Sequence, residues 1–338
     1  MNERCEEAQN YHIQTIYFGG GTPSLLSAKE LHLIFDQLHK LFSIDAQAEI
    51  SLEANPEDIS PEKVLLWKQL GINRLSVGIQ SFLQEDLDWM NRVHKAEQSH
   101  HSLKTLLNSE INNITIDLMY GLPGSNTHRL QYNLDQIIHY ELPHFSAYAL
   151  TIEERTAIKH WTGTGKIEIP EDLNTVDQMY QILDFCDAFG YEAYEISNFA
   201  KRGFRSRHNS AYWQRKPYLG FGPSAHSFDG SKRRWNISNN ALYIQKLNNG
   251  QPYFEIEMLS DINRYNEYVM LNLRRSEGID LKELKALFPQ FIVHFNKEVK
   301  KFLTTQDLVQ NTDHYKFSRK GKVLADQITA SLFKETEL

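Results

Sequence analysis

An α/β fold with a parallel sheet, followed by a smaller helical domain, is what the sequence predicts, and three observations carry that prediction. Strand-like and helix-like stretches alternate through the first two thirds of the 338 residues, which is the pattern of repeated βα units. Polar residues gather where those strands end. After about residue 230 the alternation stops and helical periodicity takes over.

The first apolar run, Ile13 to Phe18, reads as a strand. Gly19, Gly20 and Gly21 follow, and then a helix in which Ser27 can cap and Glu30 completes a capping box. Leu31, Ile34, Phe35, Leu38, Leu41 and Phe42 recur there at helical spacing. Strand, three glycines and helix make a turn whose bare backbone can approach a ligand closely. It matches neither the dinucleotide fingerprint nor a P-loop. Further strands read at 48–54, 74–80, 113–120 and 144–150, with a sixth at 191–197. Helices read at 61–70 (Ser60 capping, Pro61 opening, Gly71 closing), 96–108, 127–140 and 171–189. Beyond 230 the expected helices are 264–275, 280–287, 290–303 and 320–333, with a short strand near 314–318. The expected domains are therefore 1–230, the βα core, and 231–338, a helical or winged-helix domain.

Bulk properties exclude several classes. Hydrophobic residues make 41% and charged residues 23% of the chain, ordinary for a globular protein. No apolar run approaches the roughly 18 residues that span a bilayer, and Met1 to Glu7 is polar rather than signal-like. A net charge of −7 argues against a nucleic-acid-coating surface. Two cysteines, Cys5 and Cys186, provide no disulfide framework, so the expected compartment is the cytoplasm.

Strand parity locates a candidate site. On 48–54, Glu49, Ser51 and Glu53 share a face with Asn55 beyond it; on 74–80, Arg74, Ser76, Gly78 and Gln80 share one; on 113–120, Thr115, Asp117 and Met119 share one. Glu53, Gln80 and Asp117 thus lie on three successive strands near their C-terminal ends, where barrels build their sites. A second feature is the segment 201–234, with nine Lys or Arg and one acid, Asp229. Phe204, Tyr212, Trp213, Tyr218, Phe221 and Phe228 interleave with the charges, and His208 sits among them. Such a segment suits single-stranded RNA, through phosphate contacts and stacking, or a flat dianionic macrocycle holding iron.

Taken together, these motifs resemble the radical S-adenosylmethionine (SAM) superfamily, and within it the HemW-type heme chaperones related to oxygen-independent coproporphyrinogen III oxidase. The resemblance rests on Tyr-Phe-Gly-Gly-Gly-Thr-Pro-Ser (17–24), Arg-Leu-Ser-Val-Gly-Ile-Gln-Ser-Phe (74–82), Ile-Asp-Leu-Met-Tyr-Gly-Leu-Pro-Gly (116–124), His-Asn-Ser-Ala-Tyr-Trp (208–213) and Gly-Phe-Gly-Pro-Ser-Ala-His-Ser (220–227). It implies an open (β/α)6 barrel and a HemN-like C-terminal domain. It implies SAM at Gly20, Gly21, Thr22, Glu53, Gln80, Arg92, Asp117 and Ala149. It also implies heme at His208, Asn209, Tyr212 and Trp213, with His208 as the iron ligand and His226 the weaker candidate. The expected function is binding heme and delivering it to apoproteins, with no catalytic residue assigned. The alternative is a coproporphyrinogen III dehydrogenase, and an RNA-acting protein stands third. Peripheral membrane contact is compatible with the expected partners; nucleic acid is not expected. One departure is plain. The family's Cys-x-x-x-Cys-x-x-Cys, which ligates a 4Fe–4S cluster, is not in this sequence. The expectation is that the βα unit carrying it has been lost ahead of residue 13, leaving the first barrel strand missing.

Overall fold

Five parallel strands form the spine of the molecule: β1 (Ile13–Phe18), β2 (Ile44–Ala54), β3 (Arg74–Gln80), β4 (Asn113–Tyr120) and β5 (His144–Ala149). The computed structural model describes residues 1–9, 11–151 and 172–335. Helices α1 (Ala28–Leu41), α2 (Pro61–Gln69), α3 (Gln84–Trp89), α4 (Ala96–Leu107) and α5 (Thr127–His139) join these strands. Helix α6 (Asp172–Phe189) follows β5; the expected start of that helix at 171 lies outside the described residues. Two short strands, β6 (Glu192–Ala193) and β7 (Asn198–Ala200), complete a seven-stranded sheet in the order β1-β2-β3-β4-β5-β7-β6. The sheet is open, with β1 at one edge and β6 at the other.

The expected sixth strand at 191–197 takes a different form. β7 pairs antiparallel with β5, and β6 antiparallel with β7. Glu195 explains the reversal. Its carboxylate accepts from Ser197 N at 3.1 Å and Asn198 Nδ2 at 2.5 Å, so it closes a turn where a continuing strand was expected. At the other end of the chain order, the local signals operate as read. Ser27 Oγ accepts from Glu30 N at 3.3 Å while Glu30 accepts from Ser27 N at 2.8 Å, a complete capping box on α1.

The two sheet faces differ in chemistry. One packs against the helices through Leu52, Leu75, Val77, Ile79, Ile114, Ile116, Leu118 and Phe145, all buried and continuous with Leu31, Leu103, Leu106, Leu134 and Ile137. Each such leucine or isoleucine contributes roughly 1.5–3 kcal/mol on burial. The other face is polar and also largely enclosed: Glu49, Ser51, Arg74, Thr115, His144 and Ser146 are all buried. Register places them side by side. Thr15 lies opposite Glu49, Ser51 opposite Arg74, Glu53 opposite Ser76, and Asp117 opposite Ser146.

The chain divides into two compact units, Met1–His208 and Asn209–Leu338. The sequence reading put this boundary at 230/231. Residues 209–230 side with the second unit because β8 (His226–Phe228) pairs with β9 (Lys232–Asn236), which pairs in turn with β10 (Phe254–Met258) in an antiparallel sheet. Helix α7 (Arg207–Trp213) straddles the division. The rest of the second unit holds α8 (Asn240–Asn248), α9 (Asp261–Arg274), α10 (Leu281–Leu287) and α11 (Ile292–Thr304). A small sheet of β11 (Ile279–Asp280), β13 (His314–Phe317) and β12 (Leu308–Asn311) accompanies them. The expected last helix, 320–333, is two: α12 (Arg319–Val323) and α13 (Ala325–Ser331), interrupted at Leu324, whose φ of −103° and ψ of 18° are not helical.

Candidate functional site

The glycine turn after β1 is an open cradle. Gly20 and Gly21 adopt φ of +70° and +69°, in the left-handed region that glycine tolerates, and a Cβ on either would meet nothing within 4 Å. Gly19 is the opposite case. A Cβ there would lie 2.3 Å from the Tyr17 ring and 2.9 Å from Glu53 Oε1. Behind the turn, Ser24 Oγ donates to Asp58 Oδ2 at 2.7 Å and Lys63 Nζ donates to Ser24 O at 2.9 Å, pinning the backbone just past Thr22.

Glu53 is the centre of the site. Tyr17 Oη donates to its Oε1 at 2.5 Å and Gly20 N to its Oε2 at 3.1 Å. Burial of the hydroxyl and the adjacent Glu53 charge push the Tyr17 phenol far above its ordinary value, so it stays a donor. One strand further, Ser76 Oγ donates to Asp117 Oδ2 at 3.3 Å. Asp117 is half-buried yet closely surrounded, and burial pushes its carboxyl up to about 6, with the Glu53 charge adding to the rise and Ser146 and Ser76 opposing it. Gln80 and Arg92 form the other corner. Arg92 Nη2 donates to Asn55 Oδ1 at 3.1 Å and to Gly78 O at 3.3 Å. A Cβ on Gly78 would come within 3.2 Å of Gln80 Nε2 and 3.4 Å of Arg92 Nη2. Gln80 has φ of 63°, and the β3–β4 register shifts between Val77 and Gln80, so the strand end bends at this residue. Thr22 and Ala149 complete the strand-end set: Thr22 follows the cradle, and Ala149 ends β5 opposite Tyr120 in the ladder.

The raised Asp117 carboxyl has a measurable consequence. Its unfolded value is near 3.8 and its folded value about 6, so between these the folded state holds the proton more tightly. Stability therefore falls as pH rises through this window and levels off above it. The full linkage is about 3 kcal/mol, and roughly 1–2 after allowance for partial exposure. Asp117→Asn is expected to match the parent near pH 3.5 and to exceed its urea-unfolding stability by about 1–2 kcal/mol near pH 7.5. Parallel profiles for the two proteins across pH 4–7 would rule this titration out.

His208 does not project from a loose basic loop. It enters α7 and lies on the polar sheet face: Thr15 Oγ1 and His208 Nδ1 are hydrogen-bonded at 2.9 Å, and the imidazole stacks on Tyr17 with centroids 4.7 Å apart and planes 10° from parallel. Burial lowers its ionisation to about 4, with the Glu49 charge opposing, so the ring is neutral at pH 7. Glu49 holds the start of the helix, accepting from Arg207 N at 3.0 Å and His208 N at 2.9 Å. Of the basic neighbours, Arg205 pairs with Glu192 and lies over Tyr194, and Arg207 Nη1 donates to Gln47 O at 2.6 Å. In the second unit, Asn209 is half-buried, Tyr212 packs edge-on against Tyr218 at 4.5 Å, and the Trp213 ring carries Arg274 at 5.7 Å. Trp213 Nε1 is buried with no hydrogen-bond partner among the described residues. His226 opens β8, exposed, its ring 6.4 Å from that of Trp235.

The structure thus joins Gly20 to Glu53 directly, and Asp117 to the same face through Ser76. It gathers Gln80 and Arg92 around Gly78. Thr15, Tyr17, Glu49 and Arg74 were not singled out as site residues in the sequence. Parity on β1, β2 and β3 is the signal that could have found them, because Thr15 and Tyr17 alternate together, Glu49 shares a face with Glu53, and Arg74 shares one with Ser76 and Gln80.

These residues fit SAM. The cradle is open, the Glu53 carboxylate lies beside it, and the buried Arg92 Nε has no hydrogen-bond partner among the described residues. They do not fit a cubane cluster: Cys5 and Cys186 are the only cysteines, and no group of three or more His, Cys, Asp or Glu is gathered for a metal among the described residues.

The model of the radical SAM superfamily matches residues 1–137. The heme chaperone HemW of Bacillus subtilis (strain 168) is 30% identical over 326 residues, covering 96% of this chain and 86% of that protein. The heme chaperone HemW of Mycobacterium tuberculosis (strain ATCC 25618 / H37Rv) is 30% identical over 322 residues, covering 95% and 80%. Among solved structures, the coproporphyrinogen III oxidase HemN of Escherichia coli, a radical SAM enzyme, superposes with a TM-score of 0.83 over 98% of this chain and 80% of that one, at 20% identity. That likeness establishes the α/β radical SAM fold.

Proposed function

The chain belongs to the HemW heme-chaperone family of the radical SAM superfamily, and from that premise we propose that it binds heme at α7 and passes it to apoproteins in the cytoplasm. His208 is the observation that carries the reading. A neutral imidazole fixed at Nδ1 is the form in which histidine ligates a metal, and iron would be met through Nε2. Asn209, Tyr212 and Trp213, which follow His208 in the sequence, belong with it to the proposed heme-binding set. No helix among the described residues is long and apolar enough to cross a membrane.

The strand-end pocket is the SAM site in this reading. SAM, when bound, supplies a sulfonium beside an amino-acid head group and a ribose. Glu53 and Asp117 would accept from its ammonium and hydroxyls, Arg92 would face its carboxylate, Gln80 and Ala149 would flank the nucleoside, and the bare backbone at Gly20, Gly21 and Thr22 would admit it closely. No observation favours the decarboxylating-enzyme alternative, since the HemN likeness speaks for the fold alone.

Hemin titration followed at the Soret band tests the proposal. His208→Ala is expected to weaken binding roughly tenfold or more, as loss of a metal ligand or its support does, and to shift the Soret maximum. An unchanged band and affinity would remove His208 as the ligand and turn attention to His226. Tight, salt-dependent RNA binding without hemin affinity would replace the reading altogether.

A further inference from the structure

Tyr17 touches both halves of the proposed machinery. Its hydroxyl donates to Glu53 Oε1 at 2.5 Å, and its ring lies face to face with the His208 imidazole at 4.7 Å. Both contacts come from one side chain, so a movement of the ring disturbs both. Glu49 accepts from the helix backbone at His208, Thr15 is bonded to Nδ1, and the stacked tyrosine is tied in its turn to the Glu53 carboxylate.

We propose that Tyr17 is a positioning residue that couples the two sites: a ligand ammonium at Glu53 loosens the hold of Tyr17 on His208, and so favours iron at His208. The inference rests on the heme and SAM readings above and adds their linkage. The physical step is electrostatic. A charge-assisted hydrogen bond to a carboxylate is about twice as strong as a neutral one. An ammonium beside Glu53 neutralises the charge that makes it so. Tyr17 then leaves the stack more readily, and the population of His208 competent to ligate rises. Apparent affinity scales with that population. Linkage makes the effect reciprocal, so heme must also tighten the amino-acid ligand.

Two readouts separate this inference from the heme reading. In the heme-free protein, the His208 ring 15N resonances report its surroundings directly. SAM is expected to shift them in the parent and to leave them unmoved in Tyr17→Phe, which keeps the ring and loses the hydroxyl. In hemin titrations, SAM is expected to raise the parent's affinity about fivefold, the lower end of typical coupling. Tyr17→Phe is expected to show the higher affinity with or without SAM. Ring resonances that stay fixed while calorimetry shows SAM bound, or no SAM binding at all, would overturn the coupling. A parent that shifts its ring resonances yet binds no hemin would instead overturn the heme reading while leaving the Tyr17 connection standing. Equal SAM dependence in parent and Tyr17→Phe would assign the coupling to another residue and defeat the proposal.

Discussion

Glu49→Ala is expected to lower stability by about 2–4 kcal/mol, as leaving buried backbone donors unpaired and a buried guanidinium without its nearby charge does. Glu49 is 5% exposed and gathers two backbone N–H groups, from Arg207 and His208, with the Ser206 hydroxyl at 3.4 Å. Its charge is also felt by Arg74, which is 3% exposed. Burial lowers the Arg74 guanidinium from its ordinary value, and Glu49 is the first charge opposing that fall. Arg74 keeps its hydrogen bonds to Asn113 and Thr115 in the variant, but loses the negative charge that makes its burial tolerable. Urea unfolding followed by far-UV circular dichroism should show a lower midpoint at unchanged slope. Amide exchange at 207–213 should quicken beyond the global change, since the helix loses its anchor. Glu49→Gln should recover part of the loss, because an amide oxygen still accepts the two N–H groups. A parent-like midpoint for Glu49→Ala would show that water replaces the carboxylate without penalty.

The second large effect is expected in the other unit. A Cβ on Gly220 would lie 2.0 Å from the carbonyl oxygen of His226, far inside contact distance, and the obstacle is backbone that cannot rotate away. Gly220 N also donates to Ser227 Oγ at 3.0 Å, and the flanking Tyr218 and Phe228 exchange backbone hydrogen bonds at 2.8 and 2.9 Å. Alanine must push β8 away from this turn and break that bridge. The expected cost is about 2–4 kcal/mol, in the range of overpacking added to lost hydrogen bonds. Tryptophan fluorescence of the variant should report a loosened second unit, while the Asp117 pH dependence in the first persists. Full stability in Gly220→Ala would mean the turn can open without disturbing the strands.

What could be read ahead of the structure was local or periodic. The α1 capping box needs only Ser27 and Glu30, three residues apart. The common face of Glu53 and Asp117 needs only strand parity. What escaped depends on distant partners. His208 finds Thr15 across 193 residues and Glu49 across 159, and no window of sequence carries that meeting. The antiparallel ending of the sheet escaped because Glu195 folds its own chain through two hydrogen bonds, which looks the same as a polar strand residue in sequence. Strands of three to five residues, such as β8 and β9, are too short for alternation to declare itself, and the first three residues of β9 are Lys and Arg.

The polar, enclosed sheet face also shapes how this unit responds to temperature. Parallel sheets ordinarily bury apolar side chains on both faces, and exposing apolar surface raises the heat capacity while exposing polar surface lowers it. Melting this sheet releases Glu49, Ser51, Arg74, Thr115, His144 and Ser146 together with the leucines behind them. The two contributions oppose each other within one element. The barrel unit therefore has a flatter stability curve than an apolar sheet of equal size, and holds its pocket geometry over a broader span of temperature for the same maximum stability.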